Sequence, residues 1–118
     1  MLKNGLEVCQ ARKKMRVIIL ITTKDKKEAD KIARLLIKNK LAACVNIIGD
    51  LSSIYLWKGK VEQAKETLLI VKSRKDKFNK IVKLVISTHS YEVPEIIAVP
   101  IVLGGRDYLD WISESVVY

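Results

Sequence analysis

The clearest hydrophobic run near the start of the chain covers residues 17–21. All of these positions are apolar and most are β-branched, a pattern typical of a strand buried on both faces. Apolar residues then recur at helical spacing, at positions 29, 32, 33, 36 and 37. Asp25, followed three residues later by Glu28, predicts the N-terminus of this amphipathic helix, which should end near Asn39.

Residues 42–73 have the pattern of a long β-hairpin. The segment 42–57 is rich in Val, Ile and Leu but is interrupted by Gly49-Asp50, which predicts a bent or bulged strand. Lys58-Gly59 supplies the turn, and residues 61–73 read as the returning strand. Period-two alternation places the even-numbered side chains of this strand on one face: Glu66, Leu68, Ile70 and Lys72. The odd-numbered ones lie on the other face: Thr67, Leu69, Val71 and Ser73.

The last third of the chain predicts a helix, a strand and a shorter helix. Asp76 is a candidate cap for a helix with apolar residues at 78, 81, 82 and 85, ending near 87–89. Residues 96–101 form another apolar run, in which Pro100 favours a position at a sheet edge or a strand end. Gly104-Gly105 should turn the chain into an amphipathic segment over 108–112.

This order, βαββαβ followed by a helix, predicts an α+β fold of the ferredoxin-like type, with a mainly antiparallel sheet and both crossover helices on one face. We expect one domain over residues 15–118, preceded by a mobile tail over 1–14 that includes Cys9. Two helices leave the other sheet face open. That face and the long hairpin predict contacts with further copies of the chain.

Composition narrows the classes of function. The chain has 118 residues, is 49% hydrophobic and contains two Cys, which fits one packed domain in a reducing, cytoplasmic setting. Its apolar runs are too short to cross a membrane. The net charge of +9 keeps a nucleic-acid-binding ferredoxin-like module as an alternative. However, residues 68–73 lack the stacking aromatics of RNA-recognition modules, and the lysines fit solvated helix faces, so nucleic acid is not an expected partner.

Four motifs follow one another along the chain: Ala42-Ala43-Cys44-Val45-Asn46, Tyr55-x-Trp57-x-Gly59, Glu66-x-Leu68-Leu69-x-x-Lys72 and His89-x-Tyr91-Glu92-Val93-Pro94-Glu95-Ile96. In this order and spacing they resemble the CutA proteins, the divalent-cation tolerance family, over about residues 15–114. The resemblance implies a ferredoxin-like subunit in a compact homotrimer. It also implies a link to copper and other divalent metals, with no established enzymatic reaction.

The candidate metal ligands are His89, Cys44 and Glu66. A thiolate and an imidazole are ligands suited to copper or zinc, but Cys44 also fits a small core hydrophobe and His89 a helix C-terminal contact. One Cys and one His in the domain are too few for a closed site. We therefore expect no tightly bound cofactor, and weak or intersubunit binding of copper or another divalent cation.

A third interpretation groups Tyr55, Trp57, Lys72, His89 and Tyr91 as a junction pocket for a small anionic ligand, by analogy with trimeric PII signalling proteins. Packing anchors between subunits are the alternative role for these aromatics. The sequence contains no Gly-rich phosphate loop, and no third group is evident to orient His89 as a catalytic base. An enzyme is therefore not expected.

Overall fold

The computed structural model describes residues 15–116, and the predicted tail over residues 1–14 lies outside this range. Four strands, three α-helices and one 3₁₀ turn follow one another in the predicted order. They are β1 (Arg16–Thr23), α1 (Lys26–Lys38), β2 (Cys44–Trp57), β3 (Lys60–Arg74), the 3₁₀ turn (Lys75–Lys77), α2 (Phe78–Thr88), β4 (Ile96–Pro100) and α3 (Arg106–Ser115). Between residues 15 and 116, no helix is long and apolar enough to cross a membrane.

The strands form one antiparallel sheet in the order β2-β3-β1-β4. This order confirms the ferredoxin-like arrangement, and β4, which contains Pro100, lies at an edge as its sequence predicts. Strand β1 pairs along its whole length with β3, from Arg16 opposite Arg74 to Thr23 opposite Thr67. The two central strands are therefore the framework from which the flanking loops extend.

The core lies between one face of the sheet and the helices α1 and α2. Alternate residues of β1 and β3 are buried there, and both helices contribute their apolar stripes, so that Leu36 and Ile81 are completely buried. The Asp25 side chain caps α1 by accepting a hydrogen bond from the Glu28 backbone N–H, at 2.9 Å. This cap confirms the helix start predicted from the sequence.

The predicted cap of α2 is wrong. Asp76 lies inside the 3₁₀ turn, and the residue before α2 is Lys77, which makes no side-chain capping bond. The Asp76 carboxylate instead pairs with the Arg74 guanidinium through two bonds, of 2.9 and 3.0 Å. A bidentate pair with a buried guanidinium is stronger than a single capping bond, which explains why the carboxylate turns back toward Arg74.

The long hairpin contains the predicted irregularity. Strand β2 pairs with β3 up to Ile48 opposite Leu68 and resumes at Leu51 opposite Glu66, so that two residues of β2 face one of β3. Within this bulge Asp50 has a positive φ of 60°, and Lys58 and Gly59 have φ of 52° and 79° at the hairpin turn. Beyond the bulge the side chains of the hairpin are mostly exposed.

The second sheet face remains partly open. Helix α3 covers the end near Arg74, whose guanidinium donates to the Ser113 carbonyl at 3.0 Å, and buries Ile112 completely. The middle of this open face carries half-exposed apolar side chains, among them Ile48, Ile97 and Val99. A single chain therefore leaves exposed a patch of the kind that another protein surface covers.

Candidate functional site

A cleft of about 580 Å³ lies where the hairpin meets the loop before β4. Four segments form it: the end of β1 at Thr22, the outer part of β2, the Glu66 region of β3 and the loop 90–95. The side chains that line it are aromatic, acidic or small and polar, with two aliphatic ones: Thr22, Ser53, Ile54, Tyr55, Trp57, Glu66, Ser90, Tyr91, Glu92, Val93 and Glu95. Within residues 15–116, every charged residue of this lining is a glutamate.

Tyr91 joins the two walls of the cleft. Its hydroxyl donates to Glu66 Oε2 at 2.8 Å, across 25 positions of sequence. Burial first, and then this hydrogen bond to a carboxylate, raises the pKa of the Tyr91 hydroxyl well above its usual range. The phenol therefore remains a neutral donor at any physiological pH and holds the loop against β3.

His89 lies beneath the same loop with its side chain fully buried. Its Nε2 lies 2.7 Å from the Thr22 carbonyl oxygen, to which it must donate. Its Nδ1 accepts the Tyr91 backbone N–H at 3.0 Å. These two contacts assign the neutral Nε2–H tautomer and occupy both ring nitrogens, so coordination of a metal by His89 would require one of the bonds to break.

Glu28 connects the helix layer to this loop. One of its carboxylate oxygens lies 3.7 Å from His89 Nδ1, and the other accepts the Ser90 backbone N–H at 3.1 Å. Glu28, the second residue of the predicted capping signal of α1, therefore also fixes the start of the loop 90–95.

The ionisation of the Glu95 carboxyl is perturbed. Burial first, and then the charge of Glu66, raises the pKa of the Glu95 carboxyl above its ordinary value of 4.5. Two acids that repel each other inside an aromatic-lined cleft favour the binding of a positive charge, since a cation removes part of that repulsion.

Cys44 and Lys72 lie away from the cleft. They face each other in the register of β2 and β3, six positions along β3 from Glu66 and therefore about 20 Å away. Lys72 Nζ donates to Asn46 Oδ1 at 2.5 Å and lies 5.9 Å from the centre of the Tyr108 ring. The Cys44 thiol is half-buried and lies 4.0 Å from the same Asn46 oxygen.

The structure thus separates the predicted site residues into two groups. Tyr55, Trp57, Glu66 and Tyr91 line the cleft and His89 supports it, whereas Cys44 and Lys72 form a separate polar cluster. No group of three or more His, Cys, Asp or Glu within residues 15–116 is arranged to hold a metal ion.

Sequence reasoning missed Glu28, Glu92 and Glu95 as residues of this region. Glu92 and Glu95 belong to the motif that begins at His89. The signal that could have identified them is their position one and four residues after Tyr91. The role of Glu28 at the loop had no signal in the sequence, since its local spacing indicates only a helix cap.

Known proteins of one family match most of the chain. The family described as "CutA1 divalent ion tolerance protein" matches residues 17–115. A divalent-cation tolerance protein CutA of Thermus thermophilus is 46% identical over 101 residues, which cover 86% of this chain and 98% of that protein. The chloroplastic protein CutA of Arabidopsis thaliana is 38% identical over 99 residues, covering 84% of this chain but only 54% of that longer protein.

Solved structures agree with the sequence comparisons. The CutA1 structure from Thermus thermophilus superposes with a TM-score of 0.86 at 45% identity, covering 87% of this chain and all of that one. A protein described as the periplasmic divalent cation tolerance protein CutA of Archaeoglobus fulgidus gives 0.83 at 44% identity, with 86% and 98% covered. These names describe tolerance to cations and mention no reaction. The chain therefore belongs to the CutA1 divalent ion tolerance family.

Proposed function

We infer that this chain is a non-enzymatic, cytoplasmic protein that contributes to divalent-cation tolerance by binding a cation such as copper with modest affinity, as a homotrimer. The observation that supports the proposal is the negative charge of the cleft. The chain has a net charge of +9, yet the charged residues among the cleft lining are Glu66, Glu92 and Glu95. Such a local concentration of carboxylates in a basic protein favours a cation and opposes an anion.

Within residues 15–116 of one chain the ligand set is incomplete, which is the reason to expect modest affinity. Carboxylate oxygens bind divalent ions, but a strong site needs more ligands in a fixed geometry than the cleft brings together. Water or groups from neighbouring subunits would complete the coordination. His89 remains a candidate ligand at the price of one hydrogen bond, and Cys44 would have to act at a separate site, in an assembly of several chains.

Calorimetric titration of the assembled protein with Cu²⁺ and with Mn²⁺ tests the proposal. We expect Cu²⁺ to bind more tightly, in keeping with the general order of divalent affinities. Glu66→Gln and Glu95→Gln should each weaken binding at least about fivefold, since one charge near a cation contributes about 1 kcal/mol or more even in a water-like dielectric. His89→Ala then measures whether the imidazole participates.

Cys44→Ala is the matched control, because it changes a predicted soft ligand that lies far from the cleft. It should leave the affinity of the cleft unchanged. Copper binding that is lost in Cys44→Ala but kept in both glutamate variants would move the site to the other end of the sheet. Equal binding in all variants would contradict the proposed cation site altogether.

The trimer rests on exposed apolar surface. In addition to the open sheet face, the outer hairpin exposes Ile54, Leu56 and Val61, each more than 70% accessible. Large aliphatic side chains at this density are characteristic of surfaces that bury in an assembly. Subunits packed through their open faces would also allow each hairpin to reach a neighbour.

Light scattering measures the assembly directly. The expected mass is three times the 13.4 kDa of one chain, at micromolar concentration. Trp57→Ala should weaken the assembly by about 2 kcal/mol or more if Trp57 anchors a neighbour. A monomer mass for the unmodified protein would contradict the trimer.

A further inference from the structure

The outer faces of α1 and α2 carry a regular set of lysines. On α1, exposed Lys27, Lys31 and Lys38 lie on the side opposite to buried Ala29, Ile32, Ala33 and Leu36. On α2, exposed Lys80 and Lys83 continue the set. We call these five lysines the basic helical layer. Because helical positions four and seven apart share a face, the lysines of α1 recur along about 16 Å of helix.

The acids of the same two helices do not neutralise this layer. Asp30 pairs with Arg34 at 2.8 Å, and Glu28 turns toward the loop, where it accepts the Ser90 N–H. Helix α2 contains no acidic residue. Among residues 15–116, none of the five lysines lies within 4.0 Å of a carboxylate oxygen. Their charges are therefore uncompensated.

The layer also lies away from the acidic cleft and from the open sheet face. The helices cover one face of the sheet, while the open apolar face is on the opposite side and the acidic cleft lies at the hairpin. Burial of the open face in an assembly would leave the lysines in solvent. The basic helical layer is therefore exposed with or without the proposed cation site and the trimer.

We propose that the basic helical layer binds the phosphate backbone of double-stranded nucleic acid without reading its sequence. Lysines are point charges that contact phosphates, and phosphate contacts position a protein on a duplex without identifying bases. The layer has no aromatic side chain that would stack on unpaired bases. Most apolar side chains of both helices are buried against the sheet. The exposed ones, Ile37 and Ile86, are single residues on separate helices and do not form the broad apolar face that inserts into a lipid surface.

Fluorescence anisotropy with labelled duplexes tests this proposal. DNA and RNA duplexes, each in two unrelated sequences, are titrated with the full chain between 50 and 200 mM NaCl. With four to five phosphates neutralised by one protomer, the logarithm of affinity should fall with the logarithm of salt with a slope of about −4. Affinity should then drop about 250-fold over this range, equally for both sequences.

The variant Lys31→Gln/Lys83→Gln should weaken binding to every duplex and make the salt slope less steep by about 2. Lys60→Gln/Lys65→Gln is the matched control, since it removes the same charge from exposed hairpin positions and should retain the slope. Both pairs are on the surface, and unchanged melting temperatures establish that the variants are folded. The comparison of DNA with RNA identifies which duplex the layer prefers.

Three results would overturn the proposal. One is no anisotropy change at 50 mM salt with 50 μM protein, a concentration within the usual range of non-specific binding. Another is equal weakening by the two double variants, which would mean that total charge and not the helical layer is responsible. The third is binding to phosphatidylglycerol vesicles with none to the duplexes, which would identify a lipid surface as the partner.

Discussion

Replacement of Tyr91 by Phe isolates the contact that holds the cleft together. The substitution removes the hydroxyl that donates to Glu66 Oε2 at 2.8 Å and retains the ring. The backbone N–H of Tyr91, which donates to His89 Nδ1, is unaffected. Any effect therefore reports the link between the loop 90–95 and β3.

The expected loss of stability is about 1.5–2 kcal/mol. A hydrogen bond to a charged group contributes about 1.5–3 kcal/mol, and we take the lower part of this range because half-buried Glu66 can recover a water molecule. Denaturant unfolding measures the change, at one fixed protein concentration because association contributes to apparent stability. Tyr108→Phe is the matched control, since Tyr108 is 47% exposed; it should change stability by less than about 0.5 kcal/mol.

The pH dependence provides a second readout. The pKa of the Tyr91 hydroxyl is raised above its ordinary value of 10 in the folded protein, so above pH 10 the unfolded state loses this proton more readily. The native protein should therefore lose stability relative to Tyr91→Phe as the pH rises above 10. A Tyr91→Phe variant as stable as Tyr108→Phe, with a parallel pH profile, would refute the role assigned to this bond.

Three further predictions address the core, the turn and the cleft. Leu36→Ala should cost about 3 kcal/mol in denaturant unfolding because Leu36 is fully buried, whereas Leu103→Ala, at an exposed position, should cost less than about 0.5 kcal/mol. Gly59→Ala should lower the melting temperature through a strain of about 1 kcal/mol at φ 79°, and Gly49→Ala should have a smaller effect. Because the pKa of the Glu95 carboxyl is raised in the folded protein, the folded state should lose stability as the pH rises above 4.5. Cation binding should tighten over the same pH range as this carboxyl ionises, and both trends should be smaller in Glu95→Gln.

Local sequence patterns predicted the helices and strands because each element has a regular spacing of apolar side chains within one segment of the chain. The β-branched run at 17–21 and the alternation from Glu66 to Ser73 reproduce strands with the expected buried faces, and Asp25 caps α1 as its spacing indicates. Asp76 was misassigned because Arg74, two residues before it, competes for the carboxylate. Periodicity describes neighbours on one element and does not rank such competing partners.

The site was less accessible to sequence reasoning because its contacts join distant segments. Tyr91 contacts Glu66 across 25 positions of sequence, and His89 contacts Thr22 across 67. No local sequence pattern predicts contacts over such separations. The family motifs include the segments that line the cleft, but motif membership alone did not separate Cys44 and Lys72 from it. The strand register made that separation clear.

The bulge in β2 decides which side chains face the cleft. Before it, even-numbered residues such as Ile48 share the face of Leu68; after it, Leu51 is opposite Glu66, so odd-numbered residues take that side. Tyr55 and Trp57 join Glu66 only because of this change of parity. Deletion of one residue at Gly49-Asp50 would restore the simple alternation and place even-numbered residues such as Leu56 on the face of Glu66 instead. The length of this two-residue segment therefore determines which side chains of the outer part of β2 line the cleft.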